Sequence, residues 1–559
     1  MIGSSGWRAR LRPTLLSGSA YALVTVAFFA PLGGRLSGEL IGEGDNLESL
    51  WNAWWIGRSL LQLENPWFTE LLFAPEGTPL VWHSLAPVSS ALVSLLSRVL
   101  PLPLAYNLTV MAALPVAGLS CQALCRHFTG DRVAAFVGGL AFMLSPFITS
   151  KTLGHLDLLY GGLLPLFYLC LLRAVDSPSR ATRWRLAGAA MLLLFTCNPS
   201  LPVFAANLVF LLLCWRTRNE RLGPATRLFA RAFAPTLLLA LPWLAIVVWY
   251  SIAWDYLPRA HADLDYDPEL VSYLLPLTRS SLWWEWTQGL PVPTIRMASL
   301  HGIEPAVYLG IWVFPIAIAG LWAGRRQPLV AHLALVGAVF LVLSMGPKLQ
   351  WQREVVQLGG LDLYLPFGIW RWLPVLGAVG QAGRYALIVY TVMGVGVALA
   401  VTRARQRFSV AHPAVPLALS AAVALLVCLD FAFEPTARPL PRSLDLAETQ
   451  PERRNVLDPR LSSAATMYQQ SLSGRPLVGG YVSRTPPGQI ARYRADPVLG
   501  WFFRREPGEA PEREALLRRF EALAIGDVML AREDPRGAVL ARYGFRERDA
   551  NADTTVWSR

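Results

Sequence analysis

Long apolar runs repeat through residues 14–432, and short arginine-rich joints separate them. A run of about 20 apolar residues is what a helix needs to cross the hydrocarbon core of a bilayer. Only 16% of the 559 residues are charged, whereas soluble domains carry about 25%. The pattern excludes a soluble cytosolic enzyme, a disordered chain and a single-pass anchor. It predicts an all-α polytopic membrane protein.

The spacing of the apolar runs predicts about 11 transmembrane helices. The run at 86–100 contains about 15 residues and ends at prolines, which is short for a crossing. We therefore predict an interfacial or re-entrant helix there. The predicted crossings lie near 14–32, 104–124, 133–150, 158–175, 186–198, 200–215, 228–252, 305–323, 328–346, 384–402 and 413–432.

The arginines predict the orientation of these helices. Most joints that contain several arginines fall on one side, which the positive-inside rule assigns to the cytoplasm. The N-terminus, with Arg8, Arg10 and Arg12 before the first run, is then cytoplasmic and acts as an uncleaved signal anchor. The same joints account for the net charge of +12. No lysine-rich run or nucleic-acid motif accompanies them, so nucleic acid is not an expected partner.

The protein is expected in the cytoplasmic membrane. It is predicted to consist of two domains, a transmembrane domain at 1–433 and a soluble domain at 434–559. The first includes outer loops at 33–103, 253–304 and 347–383. The tail has ordinary soluble composition, a helix pattern at 512–523 and a strand pattern at 528–530, which predict a small extracytoplasmic α/β domain. No cysteine lies in the tail, so a disulfide framework there is excluded. Cys121 and Cys125, four residues apart, are interpreted as small core residues.

The first outer loop contains the strongest candidate for chemistry. Glu43 and Asp45 flank Gly44 shortly after the first crossing, and an aromatic helix pattern follows. A carboxylate at the membrane surface serves as a general base for a hydroxyl or amine, or helps to hold a divalent cation. The alternative is that Asp45 caps the helix that begins near residue 46. His83, later in the same loop, is a candidate substrate-binding residue.

Two further outer segments carry ionisable residues at membrane depth, where such residues default to functional hypotheses. His155 and Asp157 lie in the turn between two predicted crossings, a pattern typical of a metal or proton site. Asp157 as a helix N-cap is the alternative. Arg371 and Arg384 lie near the outer boundary, where arginine binds phosphate bidentately. Contact with lipid head groups is the alternative for both arginines.

The arrangement of a first crossing, a large outer loop with an early acidic motif, an interfacial helix and about ten further crossings resembles the GT-C glycosyltransferase superfamily. The chain is more closely similar to uncharacterised bacterial multi-spanning proteins with a Gly-Asp-rich first loop. The stretches that carry this resemblance are Glu43-Gly44-Asp45-Asn46, Trp51-Asn52-Ala53-Trp54-Trp55, Phe73-Ala74-Pro75-Glu76-Gly77, Gly154-His155-Leu156-Asp157, Gly383-Arg384-Tyr385, and, in the tail, Met467-Tyr468 and the segment 474–484.

The resemblance implies an enzyme that moves a sugar from a polyprenyl-phosphate donor to an acceptor at the outer face of the membrane. It makes Asp45 the candidate general base with Glu43 as its neighbour, and it places Arg371 and Arg384 on the donor phosphate. His155 and Asp157 take the second acidic or metal position. Metal-dependent members carry two acids at that position, so the residues allow Mg²⁺ or Mn²⁺, held by Asp45, His155 and Asp157, without requiring it.

Two function classes stay open beside the glycosyltransferase. One is a non-catalytic membrane protein that handles lipid-linked sugars, as a transporter or as an assembly partner in envelope polysaccharide synthesis. The other is a different lipid-phosphate transferase. A transporter carries ionisable residues at the membrane midplane on broken helices. Because the ionisable residues here cluster toward the outer surface, the sequence favours an enzyme. The acceptor is not specified.

Overall fold

The computed structural model describes residues 4–42, 45–196, 201–218, 220–256, 267–276, 282–290, 306–352, 354–370, 372, 381–408, 414–446, 454–461, 463–504, 506 and 508–559. Helices dominate this part of the chain. In chain order the α-helices are α1 Ser4–Phe29, α2 Asn46–Gln62, α3 Pro87–Leu96, α4 Leu102–Thr129, α5 Arg132–Met143, α6 Pro146–Lys151, α7 Leu156–Leu159, α8 Leu164–Asp176, α9 Arg180–Thr196, α10 Leu201–Arg216, α11 Leu222–Ala253, α12 Leu270–Leu274, α13 Trp284–Gln288, α14 Val313–Gly324, α15 Pro328–Ser344, α16 Phe367–Trp370, α17 Ala386–Phe408, α18 Ala414–Asp430, α19 Ala464–Ser473, α20 Pro487–Ala495, α21 Leu499–Phe503, α22 Arg513–Ala522 and α23 Arg536–Arg542.

Short strands and 3-10 turns lie between the helices. The 3-10 turns are Ala30–Ser37, Tyr160–Leu163 and Ala382–Tyr385. The strands are β1 Glu39–Ile41, β2 Phe68–Thr69, β3 Thr78–Pro79, β4 Gln350–Trp351, β5 Glu354–Val355, β6 Gln357–Leu358, β7 Leu361–Asp362, β8 Ala437–Pro439, β9 Asn455–Asp458, β10 Leu477–Gly479, β11 Ile525–Ala531, β12 Arg546–Ala550 and β13 Thr554–Ser558.

Five helical segments of the described chain are long and apolar enough to cross a membrane: Arg12–Ser37, Leu102–Thr129, Leu156–Asp176, Leu222–Ala253 and Ala382–Phe408. Six shorter apolar helices accompany them, namely α3, α5, α10, α14, α15 and α18. The helices α10, α15 and α18 begin and end within two residues of predicted crossings. In contrast, α5 ends seven residues before the predicted end at 150, and α14 begins eight residues after the predicted start at 305. The chain is therefore a multi-spanning helical membrane protein, and the number of 11 crossings stays a prediction.

The chain divides into two compact units. Unit 1 comprises Met1–Leu36, Asn107–Leu241 and Arg259–Ala437. Unit 2 comprises Ser37–Tyr106, Pro242–Pro258 and Arg438–Arg559, so the first outer loop and the tail belong to the same unit.

Unit 1 is organised around the buried helix α17. Small residues allow neighbouring backbones to approach it closely, as is common where helices pack in membranes. A Cβ added at Gly320 of α14 would lie 1.9 Å from the carbonyl oxygen of Gly396 in α17. On another side, a Cβ at Gly394 would lie 2.8 Å from Sγ of Cys121. Cys121 and Cys125 are free and fully buried, which confirms their interpretation as core residues.

Asp430 fixes the end of α18 against the start of α14. One carboxylate oxygen accepts hydrogen bonds from the Tyr308 hydroxyl (2.8 Å) and the Ile311 N–H (3.1 Å). The other accepts from the N–H groups of Trp312 (2.8 Å) and Val313 (2.9 Å). The first N–H groups of a helix have no partner within the helix, and a carboxylate there satisfies them and is favoured by the helix dipole. Asp430 is 2% exposed, so its role is structural.

In unit 2 the tail forms a five-stranded sheet with strand order β10-β9-β11-β13-β12. The strands β10, β9 and β11 are parallel, and β13 pairs antiparallel with both β11 and β12. The helix α22 lies within the helix pattern predicted at 512–523, and the strand β11 includes the strand pattern predicted at 528–530. Arg475 donates to the Asp527 carboxylate in β11 and to the Leu446 carbonyl oxygen. These bonds link the sheet to the segment that precedes β9.

The first outer loop packs against the tail within unit 2. The Phe73 N–H donates to the Gly479 carbonyl oxygen at 2.8 Å, and the Ala74 N–H donates to that of Leu477 at 2.8 Å. Trp51 is fully buried, and its indole N–H donates to Oε1 of Gln470 at 2.6 Å. Trp51, Trp55 and Ile56 of α2 thereby share one core with the sheet, and Ala91 of α3 packs against that core.

Candidate functional site

Asp45 lies at the first position before α2. Its backbone is helical (φ −68°, ψ −4°) and its side chain makes no capping hydrogen bond to the helix. The N–H of Ser49 instead bonds the Asp45 carbonyl oxygen at 3.2 Å. Asp45 thus occupies the N-cap position, but its side chain does not accept the hydrogen bond from a backbone N–H of the first turn that makes aspartate favourable there. Asp45 as a whole is partly buried.

The face of α2 that continues from Asp45 is polar and buried. Glu48 and Asn52 follow at spacings of three and four residues, which places all three side chains on one side of the helix. Glu48 is 5% exposed and Asn52 is 2% exposed. The Asn52 amide donates to the Ser84 carbonyl oxygen at 3.0 Å. The sequence prediction did not single out Glu48 or Asn52, although their spacing from Asp45 was a usable signal.

His83 completes this polar group. Its Nε2 lies 2.9 Å from Oδ1 of Asn52 and 3.5 Å from Oε1 of Glu48. Its Nδ1 lies 2.8 Å from the Ser483 hydroxyl and accepts a hydrogen bond from the Ser483 N–H at 3.2 Å. Because an N–H points at Nδ1, the ring proton is assigned to Nε2, where it is donated to Asn52.

Burial keeps His83 neutral. The side chain is fully enclosed, and desolvation lowers its pKa from 6.5 to about 3. The tail contributes Ser483, whose hydroxyl also accepts from the Ser84 N–H at 3.0 Å. With both ring nitrogens hydrogen bonded inside the protein, the geometry gives His83 a positioning role for α2, and direct contact with substrate stays a prediction.

In unit 1, the segment that follows α5 contains the second predicted pair, His155 and Asp157. The break between α5 and α6 occurs where Pro146 starts a new helix. His155 precedes α7 without a side-chain capping bond, and Asp157 lies in its first turn at 7% exposure. The following turn is anchored by Tyr160, whose hydroxyl donates to the Thr109 carbonyl oxygen at 3.0 Å.

A lysine that the sequence prediction did not select lies in the same turn. Lys151 ends α6, is 1% exposed and has its ammonium 5.6 Å from the centre of the Phe147 ring. A lysine buried at membrane depth is a functional candidate. The signal was present in the sequence, because only two lysines occur in the whole chain.

Arg384 lies in the 3-10 turn before α17, and its side chain is half-buried. Its neighbour Tyr385 is fully buried, accepts a hydrogen bond from the Asn207 amide at 3.2 Å and packs against Phe204 at a ring distance of 4.6 Å. A Cβ added at Gly161 would lie 3.0 Å from the Leu387 side chain. The turn that follows His155 and Asp157 therefore packs on the start of the helix that Arg384 precedes.

In unit 2 the structure places Glu48 beside His83, and Asp45 lies on the same side of α2 as Glu48. His155, Asp157 and Arg384 belong to unit 1. Glu43 and Arg371 lie outside the described residues. Within the described part of the chain, no group of three or more His, Cys, Asp or Glu side chains is placed to hold a metal ion. A divalent cation held by Asp45, His155 and Asp157 accordingly stays a prediction.

Residues 20–430 match the model of a family described as a domain of unknown function, DUF6311. The chain belongs to the DUF6311 family. The match covers most of the chain and includes Asp45, His83, the His155–Asp157 turn and Arg384, and it ends before the tail. No protein of curated function matches the sequence significantly.

Solved structures resemble this DUF6311 protein along its whole length. ArnT from Cupriavidus metallidurans, bound to undecaprenyl phosphate, is 13% identical with a TM-score of 0.51, and the match covers 100% of this chain and 98% of ArnT. The oligosaccharyltransferase of Archaeoglobus fulgidus with zinc and sulfate is 12% identical with a TM-score of 0.52, covering 94% of this chain and 69% of that one. The oligosaccharyltransferase AglB of the same organism, with an inhibitory peptide and a dolichol-phosphate, is 10% identical with a TM-score of 0.50, covering 94% and 70%. The DUF6311 chain therefore shares the fold of these membrane glycosyltransferases, which confirms the GT-C fold that the resemblance predicted.

Proposed function

We propose that this protein is a membrane glycosyltransferase that moves a sugar from a polyprenyl-phosphate-linked donor to an acceptor at the outer face of the cytoplasmic membrane. The observation that carries the proposal is the fold likeness to ArnT, which extends over essentially both complete chains. ArnT was captured with undecaprenyl phosphate, and the AglB structure holds a dolichol-phosphate. Both ligands are the kind of lipid carrier that the proposed donor requires.

Asp45 is the general base in this proposal, with Glu43 as its neighbour. The Asp45 carboxylate removes the proton from an acceptor hydroxyl or amine while that atom attacks the anomeric carbon of the donor sugar. The bond between the sugar and the carrier phosphate breaks, and the phosphate leaves with the electron pair. The position of Asp45 supports this role, because it stands at the start of the polar side of α2 that Glu48 and Asn52 continue.

Glu48, Asn52 and His83 hold the base in place. Glu48 and Asn52 share the Asp45 face of α2, and His83 fixes that face through hydrogen bonds of 2.9 Å to Asn52 and 2.8 Å to Ser483. A rigid shell of this kind maintains the geometry that a general base needs. We assign His83 to substrate binding through this positioning of α2.

The donor phosphate is assigned to Arg371 and Arg384. Guanidinium groups stabilise the negative charge that develops on a departing phosphate. His155 and Asp157 form the second polar position of the site, where they orient the donor or take part in holding Mg²⁺ or Mn²⁺. Arg384 and the turn after Asp157 support this assignment by their proximity in unit 1.

The proposal includes the predicted topology. Eleven crossings within 1–433 place the N-terminus in the cytoplasm and the α/β domain at 434–559 outside. The acceptor, whether lipid, glycan or protein, meets the donor on that outer side.

The test compares envelope glycans and glycolipids by mass spectrometry in wild-type, deletion and Asp45→Asn strains. Glu70→Gln is the matched control, because it removes an exposed carboxylate from the same loop. All variants must reach the membrane at equal abundance. We expect the deletion and Asp45→Asn to lose the same sugar-bearing species, and Glu70→Gln to retain it. If the deletion changes the profile and Asp45→Asn does not, Asp45 is structural, and a non-catalytic transporter or assembly partner replaces the enzyme.

A further inference from the structure

A cavity of about 1050 Å³ opens among α1, α4, α5 and α8 in unit 1. Phe136 lines it, and Tyr21 stacks on Phe136 at a ring distance of 4.6 Å and donates a hydrogen bond to the Phe136 carbonyl oxygen at 2.9 Å. This contact holds the lining residue Phe136 in place. Cavities of several hundred to about 1,000 Å³ are the usual size for small-molecule sites.

The lining changes from apolar to basic along each helix. Leu119, Gln122 and Arg126 follow one face of α4, and Leu166, Leu169 and Arg173 follow one face of α8. These spacings of three and four residues put each set on one side of its helix. Both helices run toward the arginine-rich end of unit 1, so the apolar part lies deeper and the basic part lies at the mouth.

Three arginines, Arg126, Arg132 and Arg173, line the mouth with exposed side chains. In the part of the chain that the structure describes, none of their guanidinium groups forms an ion pair or hydrogen bond. Three positive charges around one opening attract an anion, and guanidinium matches phosphate geometry in particular.

The nearby acids do not neutralise this mouth. Asp131 bonds Arg405 at 2.7 Å and caps α5 by accepting from Val133. Asp176 is ion paired with Arg216. Both carboxylates are thus engaged by arginines that do not line the cavity.

One neutral acceptor also faces the cavity. Gln122 donates to the Ser17 hydroxyl at 2.9 Å, and its Oε1 is buried with no hydrogen-bond partner among the described residues. A buried polar atom without a partner calls for an explanation, and a ligand hydroxyl supplies one.

The cavity wall is continuous with a lipid-facing surface. Leu16 of α1 lines the cavity and is 63% exposed. Its neighbour Leu15 is 65% exposed. An opening beside exposed leucines of a membrane-crossing helix allows entry from the bilayer, and basic pockets between crossing helices are typical sites for anionic lipid head groups.

We propose that this cavity binds the head group of an anionic glycerophospholipid from the leaflet on the arginine-rich side. The lipid phosphate contacts Arg126, Arg132 and Arg173, and a glycerol hydroxyl donates to Gln122. The acyl chains leave along the apolar wall past Leu16. The proposal concerns a site separate from Asp45 and does not depend on the transfer reaction.

The experiment titrates the full-length protein with phosphatidylglycerol and counts bound lipid by native mass spectrometry. Arg126→Gln/Arg132→Gln/Arg173→Gln is compared with wild type. The matched control is Arg326→Gln/Arg403→Gln/Arg407→Gln, which removes three exposed arginines that do not line the cavity. We expect the cavity variant to bind phosphatidylglycerol at least about tenfold more weakly, and the control to stay within about twofold.

A second variant and two further ligands complete the test. Gln122→Leu keeps all charges, and we expect it to weaken phosphatidylglycerol by about threefold through the lost acceptor. Phosphatidylcholine is expected to bind at least tenfold more weakly than phosphatidylglycerol, and millimolar inorganic phosphate to leave lipid binding unchanged. Equal loss in the two triple variants, equal binding of both lipids, or displacement by phosphate alone would each overturn the proposal.

Discussion

The Ser483 hydroxyl lies 2.8 Å from Nδ1 of His83, although 400 residues separate the two along the chain. The Ser483 N–H donates to the same nitrogen at 3.2 Å, so the ring proton is on Nε2. The first outer loop and the C-terminal segment therefore determine together which nitrogen of His83 faces Asn52.

Removal of the His83 ring is expected to destabilise the protein. In His83→Ala the Asn52 carbonyl oxygen and the Ser483 N–H lose their buried partner, and each lost bond costs about 1–3 kcal/mol. We expect the free energy of unfolding to fall by about 3 kcal/mol. Thermal unfolding of the full-length protein in detergent measures it. Leu63→Ala, at a side chain 93% exposed in the same loop, is the control. Equal unfolding midpoints for the two variants would contradict the network.

Acid is expected to destabilise the fold through the same residue. The folded-state pKa of His83 is lowered to about 3, below the unfolded value near 6.5. The unfolded state therefore binds the extra proton between these values, so this contribution is complete above pH 6.5 and is lost as the pH falls toward 3. Each pH unit below 6.5 costs about 1.4 kcal/mol.

The test is a comparison of wild type and His83→Gln between pH 7.5 and 5, a range in which exposed carboxylates stay largely ionised. Wild type is expected to lose stability across this range, and the variant to show a flatter profile. Parallel pH profiles would refute the assignment of this loss to His83.

Because α14 and α17 approach each other closely, one methyl group added between them is expected to lower the stability of the protein. Gly320→Ala places a Cβ 1.9 Å from the Gly396 carbonyl oxygen, so the helices must separate. We expect a loss of about 1–3 kcal/mol. Gly188→Ala is the matched control, because a Cβ there meets nothing within 4 Å and alanine is the better helix former. Both variants are compared by unfolding temperature, and a loss in the control as large as that in Gly320→Ala would speak against helix contact as the cause.

The proposed reaction distinguishes Asp45 from Glu48. Asp45→Asn removes the general base, and we expect product formation to fall by about 10²–10⁴-fold. Glu48→Gln perturbs only the positioning of α2, and we expect a loss of about tenfold. Quantitative mass spectrometry of the sugar-bearing product, at equal membrane abundance, measures both. A greater loss in Glu48→Gln than in Asp45→Asn would transfer the base role to Glu48.

The helices of unit 1 were predictable because burial in lipid demands long apolar runs. The predicted runs at 104–124 and 228–252 correspond to Leu102–Thr129 and Leu222–Ala253. The run at 133–150 is divided, since Pro146 starts α6 after a break. The apolar pattern did not show that break. The proline inside the run was a signal for it, because proline interrupts a helix.

The polar shell around Asp45 was only partly predictable. Asp45 stood out because glycine precedes it in an acidic loop motif, and His83 was selected as an ionisable residue later in the same loop. Glu48 and Asn52 were missed because a polar residue in a helix is expected to face solvent unless a buried hydrogen-bond partner for it is known. That partner includes Ser483, which no local pattern connects to α2. Contacts over such separations follow from the fold and not from spacing.

Unit 2 is assembled from segments that are far apart in the chain, and this limits the number of membrane crossings that can lie between them. The Phe73 N–H donates to the Gly479 carbonyl oxygen at 2.8 Å, and both residues lie outside the candidate crossing helices. Two such residues in hydrogen-bond contact stand on one side of a membrane, so we expect the chain to cross it an even number of times between residues 73 and 479. An even number of crossings in this interval puts the first loop and the tail in one compartment, whatever the total number of crossings.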